Sequence, residues 1–271
     1  MGTFMKEIDI IIFSGQSNMQ GESECLSESE AVSNAYEYKW LTNSMVALRN
    51  PVGESIKYDM TEGVPPSMEF RGQKWLDAHI VGSSCFGHTN LVPSFCRAYL
   101  KDTDREVLAV HIAKGSTQID YWLPGADGYK MLLEKGSAAI RRASEEYEIG
   151  KIYFVWLQGE SDAIAGVKKE EYKNSLCTLW AALKSELSIE LFGVIRVGRF
   201  TRDTRDDEII SAQDAVCAEV DGFAMLTDIA TNLNEDPVCM NPKVAGHYSA
   251  HGYEVLGDAA GIALKKIREN Y

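Results

Sequence analysis

Basic charge is scarce in this chain: 27 Lys and Arg stand against 40 Asp and Glu over 271 residues, a formal net charge of −13 at pH 7. Holding a phosphate backbone needs a concentrated basic surface, so the balance argues against a nucleic-acid partner while leaving a neutral sugar or an acidic small molecule open. Long hydrophobic runs are missing as well. No apolar stretch approaches the ~20 residues that a membrane span needs, so no membrane partner is expected. The first residues, Met1 to Glu7, lack a basic region followed by an apolar run of signal-peptide length, from which a cytoplasmic location is expected. The six cysteines (Cys25, Cys85, Cys96, Cys177, Cys217 and Cys239) form no CxxC pair and no tight framework. In a chain of this size they read as reduced thiols rather than disulfides. Internal repeats and low-complexity segments are absent, and oligomeric state leaves no trace in the pattern.

What is present is alternation. With 45% hydrophobic residues and a mean hydropathy of −0.20, the chain should bury an ordinary core, and its length fits a single α/β domain over 1–271. Apolar, β-branched or aromatic runs occur at Glu7 to Phe13, Glu106 to Ile112, Lys151 to Leu157, Glu190 to Val197 and Phe223 to Thr227. Helical stripes lie between the later runs. The clearest joins Tyr172, Leu176, Leu179, Trp180, Leu183 and Leu187, spaced by threes and fours as one helix face requires. Leu132, Ala139, Ile140, Ala143 and Tyr147 give a weaker stripe, as do residues from Ile209 to Val220, and Tyr253 to Ile267 suits a closing helix. Such alternation predicts an α/β fold with a central parallel sheet of about five strands and helices on both faces. Residues of about 36–90 break the rhythm, with Pro51, Pro65, Pro66 and many glycines; their aromatics predict a long irregular insert packed over one rim of the sheet.

Four segments follow predicted strands and carry reactive or polar groups: Gly15-Gln16-Ser17-Asn18-Met19, Ala113-Lys114-Gly115-Ser116-Thr117, Gln158-Gly159-Glu160-Ser161-Asp162 and, after a longer loop, Gly246-His247-Tyr248-Ser249. In a parallel sheet all carboxyl ends point one way, so these segments should meet in one crevice. A serine hydroxyl there needs a base, for which histidine is best tuned near neutral pH, and donors for a developing oxyanion. Ser17 is the candidate nucleophile. The backbone N–H groups of Ser17 and Gly115 and the Gln158 amide are candidate oxyanion donors, a glycine at 115 allowing close approach of main chain to ligand.

The motifs GQSNM at 15–19, AKGST at 113–117, WLQGESDA at 156–163 and GHYSAHGYEVLG at 246–257 span nearly the whole chain in order. With them the sequence resembles the SGNH-type hydrolases, in the branch of carbohydrate acetylesterases that includes sialate O-acetylesterases and acetylxylan esterases. The resemblance implies a flavodoxin-like three-layer α/β/α fold and removal of O-acetyl groups from a sugar (sialic acid, xylan or another) through an acyl-serine, with no metal or other cofactor. It makes Ser17 the nucleophile and His247 the base, with Gly115 and Gln158 in oxyanion positions. Gln16 and Asn18, beside the serine, become candidate substrate contacts. A lipid or thioester hydrolase of the same superfamily, or a carbohydrate-binding protein with impaired catalysis, are the alternatives.

One departure stands out. Many relatives carry an aspartate three residues before the histidine, where this chain has Val244. Glu160 is the expected substitute, with Asp162 and Asp228 or no acid at all as alternatives; a serine–histidine pair with its oxyanion hole keeps part of the rate. His247, His251 and Cys239 invite a zinc reading, but Gly246 and Gly252 interrupt a local helix and no HExxH motif occurs. His111, within a strand, reads as a packed core histidine. His88 is a substrate contact or ordinary loop. Trp122 offers an aromatic face for a sugar ring, or anchors its loop in the core.

Overall fold

A computed structural model describes residues 5–25, 29–53, 89–201 and 203–270. Seven strands form one sheet in the order β3-β2-β4-β1-β5-β6-β7. They are β1 (Glu7–Gly15), β2 (Ala35–Lys39), β3 (Ser44–Ala47), β4 (Glu106–Ala113), β5 (Glu148–Leu157), β6 (Leu191–Ile195) and β7 (Phe223–Thr227). All neighbours pair in parallel except β2 and β3, which form an antiparallel hairpin at one edge. The longer helices are α2 (Val92–Leu100), α3 (Asp127–Ser144), α5 (Lys169–Leu187), α6 (Arg205–Glu219) and α8 (Ala250–Glu269); α1 (Ser17–Gln20), α4 (Glu160–Ala165) and α7 (Ala230–Leu233) are short. Among the described residues no helix is long and apolar enough to cross a membrane.

The layering follows from the pleat of β1. Successive strand residues point to opposite faces. The Phe13 ring packs edge-on against Phe95 of α2 at 5.0 Å, while the neighbouring Ile12 reaches toward Gly136 of α3. Helices therefore cover both faces, and Ile8, Ile10, Ile11, Ile12 and Phe13 are all fully buried. A strand covered twice cannot alternate polar and apolar residues, which explains the continuous run Ile10-Ile11-Ile12-Phe13.

Five of the seven strands coincide with the predicted runs to within a few residues. The two that do not are β2 and β3, within or at the border of the stretch expected to be irregular. The described part of that stretch, up to Gly53, extends the sheet instead of lying over its rim; the rest of it, with His88, lies outside the described residues. Both strands are too short to show a period: β3 is the exposed edge strand, and β2 beside it is only five residues, buried at nearly every position rather than at alternate ones. The five cysteines among the described residues are free thiols.

Register decides where the chemistry can be. Gly15 pairs with Ala113 of β4 on one side and Leu157 of β5 on the other, so three strands end level. The chain leaves β1 and returns to pair on one side through β4 and on the other through β5, which makes this the switch point where open α/β sheets form their crevice. Gly15 itself adopts φ +152°, and a Cβ there would lie 1.9 Å from the carbonyl oxygen of Leu157. Only glycine lets β1 turn into α1 at this spot.

Gly15→Ala is accordingly expected to lower the unfolding free energy by about 3 kcal/mol, from backbone strain and overpacking together. Urea denaturation followed by circular dichroism measures it, and a wild-type midpoint in the variant would show that the turn tolerates a side chain.

Candidate active site

Ser17 opens α1 immediately after β1, and its hydroxyl donates to Nε2 of His247 across 2.8 Å. His247 sits in the loop that leads into α8, a helix capped by Ser249, whose Oγ accepts from Gly252 N–H at 3.0 Å. The loop is braced on both sides of the histidine. Asn241 N–H donates to the His247 carbonyl (2.8 Å), Ser249 N–H to that of Cys239 (2.9 Å), and the Phe200 ring stands edge-on to the imidazole at 6.0 Å. The second ring nitrogen, Nδ1, lies 3.1 Å from the carbonyl oxygen of Ala245. A carbonyl can only accept, so Nδ1 carries the hydrogen and Nε2 presents its lone pair to Ser17.

The carboxylates expected to orient this ring do not reach it. Glu160 is buried at the start of α4 and its Oε1 accepts from the Asn18 amide at 2.8 Å. Its Oε2 is buried without a hydrogen-bond partner among the described residues. Burial pushes its carboxyl above the ordinary range, opposed by the Asn18 bond. Asp162 accepts from Ile119 N–H (3.1 and 3.2 Å) and from the Gln158 amide, and Asp228 lies 3.7 Å from Arg196. Val244 is exposed, with its N–H on Asn241 Oδ1 at 3.2 Å. The Glu160 expectation is thus corrected: a main-chain carbonyl takes the orienting place, because the loop turns Ala245 back onto the ring.

Three other expectations change in the same way. Gln158 is fully buried, and its NH₂ is spent on Gln16 Oε1 (3.1 Å), the Thr117 carbonyl (2.9 Å) and Asp162. It supports the site from beneath and offers no open oxyanion donor. Asn18 faces inward: its NH₂ donates to Glu160 and to the Gly246 carbonyl (3.2 Å), and its Oδ1 accepts from Tyr253 O–H (3.1 Å). It ties the serine to the histidine loop and does not face substrate. Trp122 is fully buried against Trp156, with its indole N–H on Thr117 Oγ1 at 3.0 Å, so it anchors the loop in the core.

Gly115 is where the register predicts. A Cβ built on it would lie 3.5 Å from that of Ser17, so the two segments are in contact. Its N–H donates to the side-chain oxygen of Gln20 at 2.6 Å, an acceptor in the place that a substrate carbonyl oxygen would take. Ser17 N–H belongs to the first turn of α1, where amide hydrogens have no partner within the helix. Gln16 presents Oε1 to three donors, Gln158 Nε2, Gly159 N–H (3.4 Å) and Ser161 N–H (3.2 Å). Its NH₂ is the branch left for another ligand. His111 is buried with Nε2 3.0 Å from the Met19 carbonyl, as a packed core histidine, and His251 stands at a separate cavity of about 250 Å³ with Arg97 and Glu254. Among the described residues no group of three or more His, Cys, Asp or Glu is arranged to hold a metal.

Glu22 is the residue that sequence reasoning did not single out. Its Oε2 lies 3.7 Å from His247 Nε2. The two are far apart in sequence and no spacing rule links them. The Ala245 carbonyl and Gln20 were equally hidden, since a main-chain acceptor and a neutral amide leave no motif.

Comparison with known proteins shows the family and the fold. A family model, carbohydrate esterase, sialic acid-specific acetylesterase, matches residues 84–259, well over half of the chain. That span holds Gly115, Gln158, Glu160 and His247 but not Ser17. A protein of Arabidopsis thaliana is similar in structure, with TM-score 0.66 and 16% identity over 94% of this chain and 96% of that one. NanS gives 0.60 and 13% over 98% and 99%, and a carbohydrate acetylesterase of Xanthomonas citri gives 0.56 and 13% over 97% and 57%. At such identities the likeness shows the three-layer fold. No curated protein matches the sequence.

The support beneath the site has a pH signature. Burial raises the Asp162 carboxyl to about 6, against the pull of its Gln158 and Ile119 partners. A carboxyl with a raised pKa binds its proton more tightly folded than unfolded, so its contribution is full at low pH and is lost as pH rises from the ordinary carboxylate range through about 6. The loss is on the order of 3 kcal/mol. Asp162→Asn should flatten this part of the stability curve, measured by urea unfolding from about pH 4 to about pH 7. Parallel curves for variant and wild type would remove Asp162 as the source.

Proposed function

Because this chain belongs to the carbohydrate esterase family of sialic acid-specific acetylesterases, we propose that it hydrolyses O-acetyl esters of a sugar through an acetyl-Ser17 intermediate. Membership makes the chain a carboxylic ester hydrolase. The single observation that carries the serine mechanism is the 2.8 Å contact from Ser17 Oγ to Nε2 of a histidine whose other nitrogen is held by a carbonyl.

Ser17 Oγ attacks the acetyl carbon as its proton passes to His247 Nε2. The carbonyl oxygen becomes an anion received by the N–H groups of Ser17 and Gly115, with the Gln20 oxygen leaving its place on Gly115. The imidazolium then gives its proton to the sugar oxygen as the ester bond breaks, leaving acetyl-Ser17 and a free hydroxyl. Water attacks this acyl group through the same base, and collapse of the second tetrahedral species releases acetate and restores Ser17. The NH₂ of Gln16, fixed by the three donors on its oxygen, is positioned as a further substrate contact.

The site also states what catalysis does without. Among the described residues no carboxylate lies on the Nδ1 edge of His247; the ring is oriented by a neutral acceptor, and oxyanion donors with a serine–histidine pair supply the rate that remains.

Ser17→Ala is expected to abolish release of p-nitrophenol from p-nitrophenyl acetate while leaving the melting temperature within about 2 °C of wild type, as a small change beside a buried scaffold does. Wild-type rate in that variant would remove Ser17 from the mechanism. Acetate release from a panel of acetylated sialic acids, xylans and hexoses names the substrate, and faster hydrolysis of p-nitrophenyl octanoate than of the acetate would count against a carbohydrate acetylesterase.

A further inference from the structure

Proton transfer from Ser17 to His247 creates a positive charge, and among the described residues the Nδ1 edge meets no carboxylate but the neutral carbonyl of Ala245. A carboxylate nevertheless stands at the other edge. Glu22 Oε2 is 3.7 Å from Nε2, the same atom that meets Ser17, and Glu22 Oε1 would lie 3.8 Å from a Cβ on Gly115. Glu22 therefore sits where nucleophile, base and oxyanion loop converge.

The main chain that carries it is anchored at both its N–H and its carbonyl. Glu22 N–H donates to the Tyr253 hydroxyl of α8 (3.2 Å), and that hydroxyl donates in turn to Asn18, the neighbour of Ser17. The Glu22 carbonyl accepts from the Asn241 amide in the loop that carries His247. One short segment is thus pinned to the nucleophile helix, the closing helix and the base loop together. The side chain remains about 30% exposed.

We infer that Glu22 is the electrostatic partner of the imidazolium that His247 becomes in both acyl transfers, an inference that rests on the acyl-serine reading. At 3.7 Å the carboxylate is too far to take a hydrogen bond from Nε2, so it leaves the lone pair aimed at Ser17. A fixed anion interacts weakly with the neutral ring and strongly with the charged one, so its effect falls on the transition state rather than the ground state. Orientation and charge compensation, which one acid at Nδ1 would combine, are divided here between the Ala245 carbonyl and the Glu22 carboxylate. Being partly open to solvent, the charge is also screened by salt, which a packing contact is not.

The test uses the whole protein with p-nitrophenyl acetate. Glu22→Gln keeps the shape and removes the charge. Its kcat/KM should fall about tenfold, carried by kcat with KM unchanged, and Glu22→Asp should fall between. Added salt should slow the wild type toward the Glu22→Gln rate while leaving that variant level. Phosphorylation of Ser17 by diethyl p-nitrophenyl phosphate, which uses the same base without deacylation, should slow by a similar factor in Glu22→Gln. A variant as fast as wild type, or faster because the carboxylate opposes the oxyanion, overturns the inference; so does a deficit that salt does not narrow. Ser17→Ala separates the two levels: activity in that variant sinks the acyl-serine reading, whereas an inactive Ser17→Ala beside a full-rate Glu22→Gln removes only the part given to Glu22.

Discussion

The parallel pairing of β1 between β4 and β5 is the constraint on which the site depends. Gly15 is level with both Ala113 and Leu157, so the residues that follow each strand emerge at one height over one edge. A slip of one residue in either pairing would turn the strand's side chains to the other face and displace its loop. Burial of β1 on both faces holds that register, because the packed Ile12 and Phe13 leave no alternative arrangement.

Below the serine–histidine pair lies a layer of amides and carboxyls that hold the loops to one another. Gln158 joins Gln16, Thr117 and Asp162, while Asn18 joins Glu160, Tyr253 and Gly246. Buried polar networks of this kind are costly unless nearly every member is satisfied. Their return is geometric: three loops from separate strands and the loop before α8 keep fixed distances, which is what allows a neutral serine–histidine pair to be held at 2.8 Å. Several residues that look reactive in the sequence belong to this layer. Gln158, Glu160 and Asn18 share their motifs with Ser17 or its neighbours because all of them sit at strand ends.

The strand ends were legible because a doubly covered strand must be continuously apolar, so Ile10 to Phe13 and Tyr153 to Leu157 mark themselves. The hairpin Ala35–Lys39 and Ser44–Ala47 was not, since its strands are of five and four residues, one buried almost throughout and the other at the exposed edge, so neither shows a period. Within the site, Ser17, Gly115 and His247 were legible as residue types at strand ends or before a capped helix. Side-chain direction was not. Trp122 could face a sugar or the core with the same neighbours in sequence, and packing against Trp156 decided for the core. Glu160 was the acid expected by motif, yet its carboxyl is bonded to Asn18, and the ring nitrogens meet the Ala245 carbonyl and Ser17 instead.

The sequence by itself determined the fold class, the family and the serine and histidine at its crevice, because these rest on hydrophobic periodicity and local motif, both written along the chain. Only the tertiary structure decided which groups surround the serine–histidine pair and which lie bonded beneath it. The Ala245 carbonyl behind His247, the Gln20 oxygen on Gly115 and the Glu22 carboxylate beside Nε2 come from contacts across the molecule. Electrostatic support depends on distance in space, and distance in space is set by packing rather than by position in the chain.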